Sequence, residues 1–468
     1  MLFPVRWLIS GQGIAWLASL VATTLMSFLL WWFALFYPAW PLDSTFEQLY
    51  SKIGAHSSMG GLNSSIKLIY LAKGDTIQIT DDNCRPSLGC PNRLGAQVDF
   101  AEAPKRFLWR NVHAGLIRNL ADAGASIVAF DIIFDKRAGQ CQAAVDNKLA
   151  DTIRVAGVKT RVILGVEDVD VRTRKPEGLS DSLCSAIGSY WGLLKIGDVS
   201  GKTQLRHVLL AEALAPNSIS ADATLGANPS LALRVKLAFM EHEAAASTWV
   251  SMDLKRRQLI LHTANGGEEK IACDIRIAPA ENSSPRRFEA FIPVHLPSEA
   301  ALNNASADYQ QAYCSASRKY DKKIVIVGAG VEKEDQYCVS PGEVTVYGYQ
   351  VHAAVLSDLL NGTFPHHPGP VFQVLGLFIF CILGSAIRLW RRTSQAIEVP
   401  KLKEWIGRIP VALLMLAGGY LLAAGLFYNF AHLSLESSYY FLAGTLGYFW
   451  SGGVLLKRRD AAPSWDTP

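Results

Sequence analysis

Five residues in the middle of this chain have types and positions that could do chemistry together: Asp131, Asp135, Arg206, Asp335 and His352. Asp131 and Asp135 sit at and beyond the end of an apolar run, Ser126-Ile-Val-Ala-Phe-Asp-Ile-Ile-Phe-Asp135. Asp335 follows a second such run, Lys323-Ile-Val-Ile-Val327, and His352 opens a helical pattern. Strand ends in parallel α/β sheets are where ligands bind, so these residues are candidate ligand contacts around one pocket. Two carboxylates could serve acid–base chemistry, but no nucleophile or metal set accompanies them. The competing reading makes the aspartates loop and helix caps, Arg206 their ion-pair partner and His352 a hydrogen-bonding core residue. Both readings stand at this level.

Three other motifs carry less. Gly197-Asp-Val-Ser-Gly-Lys-Thr203 approaches a phosphate-binding loop, but that pattern needs glycine at position 196, which is Ile196. It reads as a turn between strands. Gly328-Ala-Gly330 follows a strand as in a dinucleotide site, yet Lys333 stands where the third glycine belongs, which leaves a tight turn. Ser64-Ser-Ile-Lys67 matches S-x-x-K of penicillin-interacting enzymes, but no S-D-N occurs and Gln204 follows Lys202-Thr203. No enzyme activity, cofactor or metal is therefore expected, and no Cys-x-x-Cys pair or Cys/His cluster suggests zinc.

The elements that must position these residues alternate. Phe107 to Gly124 has Leu108, Val112, Leu116 and Leu120 at helical spacing, with Gly124 as a stop. The nearly continuous apolar runs at Ser126, Arg161–Val166 and Lys323–Val327 read as strands buried on both faces. Tyr349 to Leu360 reads as a helix. Segments 251–261 and 270–277 look like a β-rich insertion, and 81–94 like an irregular loop. The expected fold is an α/β domain, a mixed sheet flanked by helices.

Around this domain stand four uncharged apolar runs: 14–37, 371–387, 410–428 and 439–456. A spanning helix needs roughly 20 apolar residues to cross about 30 Å of hydrocarbon, so four transmembrane helices are expected. The first is read as an uncleaved anchor, because no small-x-small cleavage site follows it. Loop 388–408 holds Arg388, Arg391, Arg392, Lys401, Lys403 and Arg408, and the tail 457–468 opens with Lys457, Arg458 and Arg459. By the positive-inside rule, residues 1–13, this loop and the tail are cytoplasmic and the domain 41–369 lies outside. Small residues recur every four positions at Ala15, Ser19, Thr23 and Ser27, at Ala443, Gly447 and Ser451, and at Gly419 and Ala423. These are helix-packing surfaces, within one chain or in a homo-oligomer. Seven of the eight cysteines fall in the domain. Cys84 and Cys90 flank a turn-rich stretch and are the disulfide candidates, and an odd number leaves one thiol over. The net charge of +4 is small and its basic clusters sit beside the apolar runs, which argues against a nucleic-acid partner.

Several segments together resemble the CHASE type 2 domain. They are Gly124-Ala-Ser-Ile-Val-Ala-Phe-Asp-Ile-Ile-Phe-Asp135, Gly197-Asp-Val-Ser-Gly201 with Arg206, Lys323 to Gly330 with Asp335, and Gly348-Tyr-Gln-Val-His-Ala-Ala354 with Leu359-Leu360-Asn-Gly362. The resemblance implies an extracytoplasmic sensory module of a bacterial inner-membrane receptor, with one anchor helix before it and three closing helices after it. A cytoplasmic kinase or cyclase usually follows, and none is seen after residue 456. The expectation is a periplasmic sensor or regulatory subunit that binds an unnamed ligand and passes its signal to a separate effector. The alternative is a structural or assembly component of a bacterial envelope complex.

Overall fold

The computed structural model describes residues 62–72, 76–80, 85–87, 96–99, 109–134, 142–170, 173, 175–197, 205, 207–215, 219–220, 223–278, 286–293, 296–297, 299–314, 318–330, 336–339, 344–362 and 370–394, with fragments of 25–30, 414–423 and 440–448. The chain divides into two units, Met59–Pro365, and Met1–Ser58 with His366–Pro468.

The larger unit opens with β1 (Ile66–Ala72) and a small antiparallel sheet of β2 (Thr76–Thr80), β3 (Arg85–Ser87) and β4 (Ala96–Asp99). Strand β3 lies inside the stretch expected to be irregular, where pairing with β2 fixes it. Helix α1 (Trp109–Asp122), β5 (Ile127–Asp131), α2 (Gln142–Ala156), β6 (Arg161–Val166), α3 (Asp181–Ile187) and β7 (Trp191–Leu193) then alternate. The chain next runs through β8 (His207–Ala215), β9 (Thr224–Gly226), β10 (Asn228–Pro229), α4 (Leu231–Ala244), β11 (Thr248–Asp253), β12 (Gln258–Thr263), β13 (Glu268–Ala272), β14 (Asp274–Ile277) and β15 (Arg286–Pro293). It returns through α5 (Glu299–Ala305), β16 (Ser306–Asp308), α6 (Tyr309–Cys314), β17 (Ile324–Gly330), β18 (Gln336–Val339), β19 (Val344–Tyr347) and α7 (Gly348–Asn361).

Six strands form the central sheet in the order β16-β1-β17-β5-β6-β7, and every neighbouring pair is parallel. The expected mixed sheet is thus corrected. Helical crossovers return each central strand in the same direction, and antiparallel pairs occupy separate sheets, β10-β8-β15-β14 and β13-β12-β11-β9. Alternation along each central strand feeds two cores. Ile66, Leu68, Ile127, Ala129, Ile163, Ile324 and Ile326 face α4, α7 and the antiparallel strands. Ile69, Leu71, Val128, Phe130, Leu164, Val325 and Val327 face α1, α2, α3 and α6. Each fully buried large apolar side chain contributes about 1.5–3 kcal/mol, so burial on both faces explains the continuous apolar runs.

Two element ends differ from the sequence expectation. Strand β5 stops at Asp131 because β17 pairs with it only as far as Gly328 and β6 only to Phe130. Phe134 then turns back into the core against Phe130, with ring centroids 5.8 Å apart. Strand β17 instead continues through Gly328 and Gly330, paired with β1, so Gly328-Ala-Gly330 is strand rather than tight turn. A Cβ on Gly328 would stand 2.2 Å from Cβ of Tyr349. The glycine is there because α7 lies directly on it.

In the other unit, helix α8 (Pro370–Ser394) contains the expected run 371–387. The described side chains of α8 end at Ile387, and among the described residues no helix is long and apolar enough to cross a membrane. The runs 14–37, 410–428 and 439–456 are described only in fragments, and Ala15, Ser19, Thr23 and Ser451 lie outside the described residues. Ala443 and Gly447 lie against α8. The Cys381 thiol donates to the Ala443 carbonyl at 3.2 Å, Ser385 Oγ donates to the Gly447 carbonyl at 3.0 Å, and Ser27 Oγ donates to Cys381 Sγ at 3.8 Å. A Cβ on Gly447 would come within 2.1 Å of the Cys381 carbonyl oxygen. On other faces of α8, Val371, Phe372, Leu375, Ile379 and Ile382 are exposed.

Candidate functional site

Because the central strands are parallel, their carboxyl ends share one edge, the usual place for a ligand in such sheets. Asp131 ends β5 there, half-buried and in register with Gly328 of β17. Asp168 follows β6 and Lys195 follows β7. The antiparallel strands β8 and β15 bring three more charged groups to these two. Glu212 and Glu289 face each other across the ladder, a like-charge pairing that costs stability unless cations intervene. Two do. Arg287 Nε lies 3.2 Å from Glu212 Oε1, and its Nη2 donates to both carboxylate oxygens of Asp168 at 3.4 Å. Lys195 pairs with Glu289. Glu212 is almost wholly buried, and burial pushes its carboxyl above the ordinary range. Arg287 and Lys195 pull it back, while Asp168 and Glu289 push it further up. Three carboxylates and two cations therefore join the carboxyl ends of β6 and β7 to a second sheet. The arrangement can bind and respond to charge. Among the described residues, no group of three or more histidines, cysteines or carboxylates is placed to hold a metal.

His352 sits one turn into α7 and is wholly buried. Burial lowers its pKa to about 4, and among the described residues neither ring nitrogen is within hydrogen-bond geometry of a partner. The helix carrying it is fixed at both ends. Tyr347 N–H donates to Gln350 Oε1 at 3.0 Å at the start, and Tyr347 and Tyr349 stack 6.1 Å apart. Near the end, Asn63 N–H donates to Ser357 Oγ at 2.9 Å and Lys236 Nζ donates to the Leu359 carbonyl at 3.3 Å. On the opposite face of the sheet His113 is likewise buried, in hydrogen-bond contact with the Tyr309 hydroxyl at 2.8 Å and ringed by Trp109, Phe130 and Phe134. Burial, with the nearby Arg110 charge, brings its pKa to about 3. Arg110 forms a buried ion pair with Asp146.

Comparison with protein families now bears on what this edge belongs to. The family model described as CHASE2 domain matches residues 93–387, well over half of the chain. The chain belongs to the CHASE2 domain family. CHASE2 domains are extracytoplasmic sensory domains, and the α/β unit with its helix-flanked parallel sheet fits that role. Comparison with curated proteins and with solved structures gave no significant match. The CHASE2 match begins at residue 93, so β1 precedes it, yet β1 is the strand on which both β16 and β17 pair.

Of the five candidate contacts in this CHASE2 chain, Asp131 is at the carboxyl edge and His352 is in the interior of α7. Asp135, Arg206 and Asp335 lie outside the described residues, as do Cys84 and Cys90. Cys273 and Cys381 are free thiols, so more than one thiol of the eight is unpaired. Burial pushes the Cys273 thiol up to about 12. Sequence reasoning missed Asp168, Lys195, Glu212, Arg287 and Glu289. A signal was there: Glu212 interrupts the apolar run His207-Val-Leu-Leu-Ala-Glu-Ala-Leu-Ala215, and Glu289 interrupts Phe288 to Ile292. A lone carboxylate inside a strand of that kind demands a buried partner.

Proposed function

We propose that this CHASE2 chain is a membrane-anchored periplasmic sensor or regulatory subunit that passes its signal to a separate effector. The observation that carries the proposal is the seat of α7. That helix lies on Gly328 without room for one methyl group, and its His352 is wholly buried. It is also the last element of the sensory unit, and in sequence eight residues separate it from α8. A ligand or envelope partner at the carboxyl edge contacts Asp131, Asp168 or Lys195, with Asp135, Arg206 and Asp335 as further candidate contacts from their sequence positions after β5, β7 and β17, and His352 acting through packing. Such a ligand shifts α7 only if it binds one arrangement better than another. Packed interfaces respond by discrete steps rather than by gradual deformation.

The four apolar runs 14–37, 371–387, 410–428 and 439–456 are assigned as membrane spans. The distribution of side chains on α8 supports this. Cys381 and Gly384 pack against residues 443–448, while Val371, Phe372, Leu375, Ile379 and Ile382 are exposed. That is the arrangement of a helix solvated by lipid. With both termini inside, the basic loop 388–408 is the surface offered to the effector. Binding rather than catalysis is proposed for the edge, since among the described residues its charged groups are tied to one another in ion pairs.

The test is to purify the full chain gently from its own membrane and identify what accompanies it by mass spectrometry. A cytoplasmic or membrane effector in fixed ratio, lost when Lys401 and Lys403 are changed to Glu, is the expected result. Recovery of the chain alone as a defined oligomer would overturn the relay and favour a structural component of an envelope complex.

A further inference from the structure

The solvent face of the β13-β12-β11-β9 sheet carries an arrangement unrelated to the charged edge. Its other face is apolar: Val250, Met252, Leu259, Leu261 and Ile271 belong to the core that α4 helps to form. Alternation along the strands therefore turns Trp249, Ser251, His262 and Glu268 outward. Register brings them together, with Trp249 opposite His262 and His262 opposite Glu268. Ser251 Oγ lies 2.7 Å from His262 Nε2. On the far side of the ring, His262 Nδ1 lies 3.6 Å from Glu268 Oε1. Trp249 stacks on the imidazole with ring centroids 5.1 Å apart and planes 12° from parallel, and Lys270 Nζ lies 3.7 Å from the other Glu268 oxygen.

This is the order a nucleophilic hydroxyl requires: serine, base, and a carboxylate that orients the base. At 3.6 Å Glu268 is a charge neighbour of Nδ1 rather than its hydrogen-bond acceptor, and that charge favours a proton on Nδ1, which leaves Nε2 to accept from Ser251. The indole fixes the ring plane. Gly226 stands opposite Ser251 on β9, and a Cβ there would meet nothing within 4 Å, so the hydroxyl is approachable from that side. Ser251 itself is recessed at 7% exposure beside the half-exposed Trp249, which restricts access to small groups. The polar triple is not required for folding, since half-exposed ion pairs of this kind contribute little to stability.

We propose that Ser251 is an activated hydroxyl that accepts a small acyl group from a reactive ester, with His262 as its base and Glu268 as the positioning residue. Ser251 Oγ bonds to the ester carbonyl carbon as the bond to the leaving alcohol breaks. The hydroxyl proton passes to His262 Nε2 and from there to the departing oxygen, leaving an acyl-serine, free alcohol and neutral imidazole. Strand β11 is paired on both sides of Ser251, so its backbone N–H groups are committed to the ladder rather than aimed at an oxyanion. Losing one such donor slows acyl transfer by about 10²–10³-fold. The same missing donor slows hydrolysis of the acyl-serine as well as its formation, so both steps are slow, the acyl group persists once attached, and Ser251 is a modification site.

The experiment treats the full chain in detergent with p-nitrophenyl acetate, follows p-nitrophenolate release and maps acetyl groups by peptide mass spectrometry. The expected result is a burst of about one equivalent with acetyl on Ser251, absent in Ser251→Ala and slower by about 10²-fold or more in His262→Gln, which removes the general base. In Glu268→Gln the burst is slower and its rate follows a different pH profile from that of the wild type, a change that loss of packing alone does not produce. An unlabelled Ser251 in the wild type overturns the proposal without recourse to any variant. So does an equal rate in a His262→Gln protein that melts like the wild type.

Discussion

The central parallel sheet and the β11–β13 sheet treat polar groups in opposite ways. In the first, helices and, on one face, antiparallel strands cover the sheet, and several of the polar groups that enter are closed off in pairs. Arg110 meets Asp146, and His113 meets Tyr309. In the second, one face packs on α4 and the other meets solvent, and Ser251, His262 and Glu268 form a line from a recessed hydroxyl to a half-exposed carboxylate. The charged edge at Asp168, Lys195, Glu212, Arg287 and Glu289 lies between these extremes, with Glu212 buried and Lys195 partly exposed. The difference separates two uses of polarity. Groups sealed in the core hold the sensory unit in one arrangement, and groups open to water are free to meet something else.

The strongest way to break the comparison is to open the sealed core. Asp146→Ala leaves Arg110 buried without its carboxylate, a loss worth about 3–5 kcal/mol. Urea denaturation of the full chain in detergent, followed by circular dichroism, should show this as the largest single effect. A paired replacement, Arg110→Met with Asp146→Leu, should restore much of the loss, because it removes both charges together. A small effect from Asp146→Ala would mean that water reaches the pair.

Acid attacks the same region by another route. His352 and His113 have folded pKa values of about 4 and about 3, below the ordinary value near 6.5. As pH falls below about 6.5, the unfolded chain gains protons that the folded chain refuses, so stability decreases. Each histidine contributes a slope of about 1.4 kcal/mol per pH unit. The loss through His352 continues to about pH 4, on the order of 3 kcal/mol in total, and that through His113 to about pH 3. Denaturation midpoints measured between pH 7 and 4 should fall steeply in the wild type and less steeply in His352→Leu. Equal slopes would show that His352 charges without cost in the folded state.

Next in size is Gly328→Ala. The added methyl meets Tyr349, and overpacking of this kind costs about 1–3 kcal/mol. The same change should speed hydrogen exchange in α7 more than in α1 on the other face of the sheet. Uniform exchange across both helices would show that the strain is spread through the unit and not confined to the seat.

The position of Gly328 also marks what could be read from the chain before its fold was known. The apolar runs of β5, β6 and β17 and the period of α1 were legible, because burial on both faces of a parallel sheet and on one stripe of a helix writes itself locally. The reason for Gly328 was not legible, because its neighbour Tyr349 comes from another element and only the fold brings them together. The charged edge was missed for the same reason. Glu212 announces a buried partner but does not name it, and Arg287 reaches it from 75 positions away. Ser251, His262 and Glu268 lie within 18 residues of one another, yet they form a line only through the registers of two hairpins, which no local pattern specifies.

The smallest predicted effect tests the open sheet. Glu268→Gln keeps the size and shape of a half-exposed side chain while removing its charge, and surface changes of this kind stay within about 0.5 kcal/mol. Thermal melting and urea midpoints should be those of the wild type. If stability instead falls by as much as in Asp146→Ala, Glu268 belongs with the sealed pairs, and the contrast between the two sheets fails. If stability holds while the pH response of Ser251 acetylation changes, the same carboxylate is shown to matter for reactivity and not for folding. That combination distinguishes a positioned group from a structural one, since a structural role would move both measurements together.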